Sequence, residues 1–233
     1  MTQPKSSAPE LVPVPVWDIW VRLFHWALVI VITASFVTDR IGDLDSHYIA
    51  GLSVLGLVIF RLLWGIVGSP TARFATFIKG PRAIFTYARH ALRRHPSFTF
   101  GHNPAGAVMV IILLLLLLAQ AVSGLFNSDD ILFEGPLYDN ASGAVTSFMG
   151  RWHGFFGDII LILILVHIGV VLLYRLVKSE NLISAMILGK ARLPRPVADA
   201  VNKNGEAKFA SPFKALVCAV IAAAVPLAIH WLN

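Results

Sequence analysis

Five long, mostly apolar stretches recur along the 233-residue chain, near Trp17–Val37, His47–Val67, Pro104–Phe126, Trp152–Tyr174 and Phe213–Leu232. Each is long enough to cross a hydrocarbon core of ~30 Å as an α-helix, which takes about 20 residues. The third and fourth are nearly unbroken. The first and second carry polar residues, and the fifth is the least apolar. The pattern predicts an all-α polytopic membrane protein: a four-helix transmembrane bundle (residues 14–192) and a fifth, C-terminal transmembrane helix (213–233), with a short tail (1–13) before the bundle. Residues 193–212, with Pro194, Pro196, Asn202, Asn204 and Gly205, read as a flexible linker. In the stretch Pro81–His95 the proline suits a first helical turn. Ile84, Tyr87, Ala88, Ala91 and Leu92 then share one face while arginines take the others, the pattern of a helix lying among anionic headgroups. Glu180–Lys190 reads the same way.

The composition agrees, with 57% hydrophobic and 14% charged residues and a mean hydropathy of +0.73. No nucleic-acid motif is visible, so the net charge of +6 needs another account, and its placement gives one. Lys5 and Arg22 stand at the start of the first span. Arg73, Lys79, Arg82, Arg89, Arg93 and Arg94 follow the second with no acid among them, and eight more cations from Arg175 to Lys214 follow the fourth. The other connections are acidic: Asp39, Asp43 and Asp45 against Arg40, then Asp129, Asp130, Glu134 and Asp139 before Arg151. The positive-inside rule therefore predicts a cytoplasmic N-terminus and a C-terminus on the outer side. The first apolar run starts late and contains Asp18, Arg22 and His25, so a cleaved signal peptide is not expected. The single cysteine, Cys218, excludes an intramolecular disulfide and reads as a packing residue. The absence of C-x-x-C-H excludes covalent haem attachment of the c type.

Ionisable groups inside a membrane span are costly and usually functional, and the fourth span holds two histidines. His153 and His167 are fourteen residues apart, about 21 Å along a helix and within roughly 40° of the same face. That arrangement suggests axial ligands to two haems at different depths. Topology supplies the partners. His25 lies about two turns from the cytoplasmic end of the first span, level with His167. His47 opens the second span on the outer side, level with His153. Two bis-histidine irons in a four-helix core follow. Taken singly, His47 and His153 also suit snorkelling positions at helix ends.

Other polar residues carry open readings. His102, in the Gly101-HNPAG-Ala107 entry to the third span, either packs beside a cap formed by Asn103 and Pro104 or bonds a haem propionate or quinone carbonyl. Arg22, Arg61 and Arg73 lie near the cytoplasmic level, where they could pair with propionates. Asp18, four residues before Arg22, offers it a local ion pair, which leaves Arg61 the better candidate. Asp158 either moves protons at a quinone pocket or bonds a neighbouring helix. His90 and His95 read as interfacial, and His230 as part of an aromatic belt beside Trp231. The acidic outer connection Asn127–Gly150 is either an ordinary solvated loop or a dock for a basic redox protein.

An ordered set of motifs then carries a resemblance. Val16-WDIWVRLFHW-Ala27, Ser46-HYIAG-Leu52, Phe60-RLLWGIVGS-Pro70, Ala72-RFATFIKG-Pro81, Gly101-HNPAG-Ala107, Glu134-GP-Leu137, Arg151-WHG-Phe155, Leu165-VHIGV-Val171 and Glu180-NLISAMILGK-Ala191 together resemble the bacterial cytochrome b561 family. That family includes the b-type cytochrome subunit of nickel–iron hydrogenases. The resemblance spans about residues 14–192 and implies two haem b groups. By analogy with the related membrane cytochrome of formate dehydrogenase, it implies His25, His47, His153 and His167 as iron ligands. It further implies electron transfer between quinone and a periplasmic or membrane-bound redox partner, a cytochrome c or a hydrogenase-like enzyme. On this reading the chain is an electron-transfer subunit of a respiratory chain rather than a complete enzyme. Two alternatives stand beside it: a free-standing superoxide:quinone oxidoreductase, and a non-redox transporter or scaffold whose histidines bind metal or relay protons.

Overall fold

A computed structural model describes residues 10–91, 98–129, 131 and 133–231. Lys5, Leu92, Arg93, Arg94, His95, Asp130 and Leu232, and the side chains of His90 and Ala91, lie outside the described residues. Five helices are long and apolar enough to cross a membrane: α1 (Ile19–Ile41), α2 (Leu44–Val67), α5 (Pro104–Gly124), α6 (Gly143–Val177) and α9 (Pro212–Trp231). Shorter elements join them: strand β1 (Leu11–Pro15), the one-turn α3 (Phe74–Phe77), α4 (Pro81–Ala91), α7 (Leu182–Leu188), strand β2 (Lys190–Pro194) and α8 (Arg195–Lys203).

Local chemistry sets the ends. Asp18 caps α1 by accepting from the Val21 amide (2.8 Å), and Gly42, with φ 74°, closes it in the left-handed conformation. Asp43 caps α2 through the Ser46 amide (3.1 Å) and so starts it three residues before the expected His47. Asn103 caps α5 through the Gly106 amide (2.8 Å), with Pro104 in the first turn, as the sequence suggests. The fourth span departs most from expectation. Its helix begins at Gly143 rather than Trp152, because the segment 143–151 is polar enough to escape an apolar window yet continues the helix.

α2 is the hub of the bundle, packing on α1, α5 and α9, while α6 packs chiefly on α5. Gly56 lets the Ala222 backbone and the Pro226 ring of α9 come close, each 3.3 Å from where a Cβ would stand. α1 and α6 share no extended interface, which leaves a slot between them. At the basic end Asp18, 1% exposed, also accepts from the Trp64 indole (3.1 Å), so the start of α1 is tied to the end of α2. Asp18 is thus not spent on Arg22. The Arg22 guanidinium donates instead to the Ile187 carbonyl at the end of α7, which corrects the local ion pair expected from the sequence.

Residues 193–212 differ from the flexible linker read in the sequence. β2 pairs antiparallel with β1, from Leu11 opposite Pro194 to Pro15 opposite Lys190, and α8 follows directly. Prolines are tolerated because both strands of a two-stranded ribbon are edges. Burial of Val14, Leu193, Ala198 and Val201 holds the unit together. An exposed Arg195–Glu10 pair (2.6 Å) at its margin keeps the Glu10 carboxyl below its usual pKa and adds little stability. α4 forms as predicted. Its Ile84 and Tyr87 are half-buried, and the Tyr87 hydroxyl meets that of Tyr174 near the end of α6.

Candidate functional site

At the acidic end, α2 and α6 bring His47 and His153 together. Their ring centroids are 6.1 Å apart, with the planes at 85°. Each ring is held from behind. His47 Nδ1 donates to the Ser35 carbonyl of α1 (2.9 Å), and His153 Nδ1 donates to the Gln120 carbonyl of α5 (3.0 Å), with the Ser123 hydroxyl at 3.2 Å. Bonds of this kind fix ring orientation and tautomer, leaving the Nε2 lone pair as the acceptor or candidate ligand atom of each ring. The Gln120 side-chain amide lies 3.2 Å from His153 Nε2, while its own Oε1 has no partner. A ligand that displaces it breaks one neutral hydrogen bond, worth about 1 kcal/mol net.

A cavity of about 450 Å³ opens beside this pair, between α1 and α2 on one side and α5 and α6 on the other. Its apolar lining includes Ile32, Phe36, Leu117 and Ala121, and its charged lining is Asp39, Arg40, Asp129 and Asp158. Glycines shape it. A Cβ at Gly51 or Gly154 would meet nothing within 4 Å, so bare helix backbone faces open space there. A Cβ at Gly124 would stand 2.9 Å from His153 Cε1, so only glycine allows that ring its place.

The second predicted pair, His25 on α1 and His167 on α6, lies within electrostatic reach across the slot. His25 Nδ1 is buried without a partner, and its ring packs edge-on against Trp26 at 5.0 Å. Nearer the basic end, Arg61 is 3% exposed. Its guanidinium lies over the Phe74 ring at 5.1 Å, and its Nη1 has no partner. A side chain at Gly65 would collide with that same ring. His102 is wedged between Trp17 (4.6 Å) and Phe77 (4.5 Å), with Nδ1 buried and unpartnered. Burial, and then the charge of Arg61, push its pKa down to about 3. It lines a separate basic-end cavity of about 530 Å³ with Arg73, Lys79 and Glu206.

Two metal–imidazole bonds of about 2 Å, added to two half-rings, span about 6 Å, so the outer pair stands at the separation a shared iron requires. The apolar slot and exposed glycine backbone suit a flat porphyrin. The unpartnered nitrogens of Arg61 and His102 are donors of the kind that take carboxylates. Among the described residues no cluster of three or more His, Cys, Asp or Glu side chains could hold a bare metal ion. Two facing imidazoles beside an apolar slot fit haem, whose porphyrin supplies the other ligands. Sequence reasoning missed Gln120, Ser123, Gly124 and the Ser35 carbonyl. The lone amide of Gln120 in an otherwise apolar run was the available signal.

The sequence profile described as prokaryotic cytochrome b561 matches residues 16–189, about three quarters of the chain. No curated protein and no solved structure matches the chain significantly. With five spans and a family match over most of its length, the chain belongs to the prokaryotic cytochrome b561 family, as a multi-pass bacterial membrane protein that binds b-type haem and transfers electrons.

Proposed function

We propose that the chain carries two haems, one held by His25 and His167 and the other by His47 and His153, and moves electrons between the quinone pool and a redox partner. The basic end faces the cytoplasm and the acidic end, with the C-terminus, faces the periplasm. The observation that carries this reading is the placement of histidine pairs at two depths against one helix, with the outer pair 6.1 Å apart and each ring braced through Nδ1. The donor set disfavours a bare-metal transporter.

Haem, when bound, would supply a one-electron couple, and His25 with His167 and His47 with His153 would be the residues that hold it. The protein does the rest. α6 sets the spacing, with its histidines about 21 Å apart along the axis. The Ser35 and Gln120 carbonyls raise the basicity of the outer ligands. Arg61 and His102 offer donors to carboxylates at the inner level. Asp158, which lines the outer cavity on α6, is the carboxylate nearest His153 along that helix and the candidate for a proton-exchanging group.

Vesicles test the reading directly. With ferricyanide sealed inside and a quinol supplied outside, haem-loaded chain bleaches ferricyanide in proportion to protein, and His167→Ala abolishes the bleaching. Equal rates with and without haem-loaded chain contradict the proposal.

A further inference from the structure

Resting on that reading, we infer that the periplasmic end is the docking face for a basic, soluble one-electron carrier protein, seated over the mouth of the His47–His153 cavity. Three independent features meet there. The first is charge. The two connections on this side hold seven acids against two bases. Asp43, Asp45, Glu134 and Asp139 are exposed, and Asp39 and Asp129, with Arg40 as the one base among them, line the outer cavity from these connections.

The second is helix length. α6 has 35 residues and is about 52 Å long, against a core of ~30 Å. Counted from Arg175 at its basic end, the hydrocarbon is crossed by about Phe155. The turns from Gly143 to Arg151 therefore stand in water. One face of these turns packs inward through Thr146, yet Val145 and Phe148 point outward, 40% and 49% exposed. Ile131, on the connecting loop at the same end, is 82% exposed. Apolar side chains held in water within an acidic surround match the anatomy of a protein contact, with an apolar centre and a polar rim. The acids fix the sign of the partner, since opposite charge speeds encounter and like charge suppresses it. The same field opposes an anionic small molecule such as superoxide at this mouth.

The third feature is the cavity. The candidate outer ligands lie directly beneath this face, so a docked carrier reaches the site without crossing the bilayer. The transfer is a single electron: the protein's outer site is oxidised by one, the carrier's ferric centre is reduced to ferrous, and no bond or proton moves.

The test is stopped-flow mixing of quinol-reduced, haem-loaded chain in detergent with a basic mitochondrial-type cytochrome c, and with the same cytochrome after succinylation of its lysines. The rate constant with the basic protein should fall at least about tenfold as salt rises from about 10 mM to about 300 mM. The succinylated form should react at least about tenfold more slowly at low salt. Glu134→Lys with Asp139→Lys should slow the basic partner about tenfold while haem content and reduction by quinol stay unchanged, and Phe148→Ser should slow it about threefold. A rate indifferent to salt and to charge reversal, or faster with the succinylated protein, overturns the docking face. A chain that holds no haem, or whose haem quinol does not reduce, overturns the underlying electron-transfer reading instead.

Discussion

The outer and inner histidine pairs are built from the same residue type and share α6, the outer pair drawing its second member from α2 and the inner from α1, yet the outer pair is the braced one. His47 and His153 both give Nδ1 to a backbone carbonyl of a neighbouring helix and already face each other at 6.1 Å. His25 has no partner for Nδ1, and the polar groups nearer the basic end, Arg61 and His102, also retain unpartnered nitrogens. The outer site is thus preorganised by the protein. The inner site keeps donors in reserve, an arrangement that makes sense where a carboxylate-bearing cofactor completes the network. Two sites of unequal preorganisation should differ in how firmly they hold haem and in how each responds to mutation.

The largest effect comes from removing a ligand. His153→Ala should reduce haem from two per chain to one and leave the inner signal, while His167→Ala should do the converse. Loss of both haems from either variant, in chain that remains folded, would show that the two sites are not independent. Crowding the outer cradle comes next. Gly124→Val places a Cβ 2.9 Å from His153 Cε1 and should weaken outer haem retention about 10- to 100-fold, the range for disturbed support of a ligand. Retention is read by transfer to an excess of apomyoglobin. In the unaltered chain that same assay should empty the inner site first, and simultaneous loss would erase the contrast. Gln120→Leu keeps the backbone carbonyl that holds His153, so it should change outer retention less than about tenfold and shift only the outer midpoint potential.

The smallest effect concerns pH at the basic end. The His102 pKa falls from 6.5 to about 3 on folding. The folded chain therefore binds fewer protons than the unfolded one below pH 6.5, and stability present above that value is lost as pH falls toward 3. Between pH 7 and pH 5 this removes about 2 kcal/mol, read as a lower melting midpoint of the solubilised chain. In His102→Gln the midpoint should depend less steeply on pH, and an unchanged slope would remove His102 from the account.

Much of this was legible in the sequence because a membrane makes hydrophobic length and charge asymmetry speak directly. The five spans and the paired depths of the histidines needed only helical geometry and loop charge. What stayed hidden was set by contacts between distant residues or by backbone groups. The β1–β2 ribbon joins segments roughly 180 residues apart, and prolines such as Pro13 and Pro15 suit strands only at edges. Asp18 reads as a neighbour of Arg22, yet it binds Trp64, 46 residues away. The carbonyls of Ser35 and Gln120 belong to every residue and leave no mark in composition. The watery turns of α6 were missed because an apolar window ends at Trp152 even though the helix does not.

The central claim is that one chain holds two b-type haems between four histidines. Haem per polypeptide, measured as the pyridine haemochrome of purified chain alongside its dithionite-reduced minus oxidised spectrum, tests it most directly. The account predicts two haems per chain with b-type bands. A single haem in folded protein would break one of the pairings, and none would contradict the account outright.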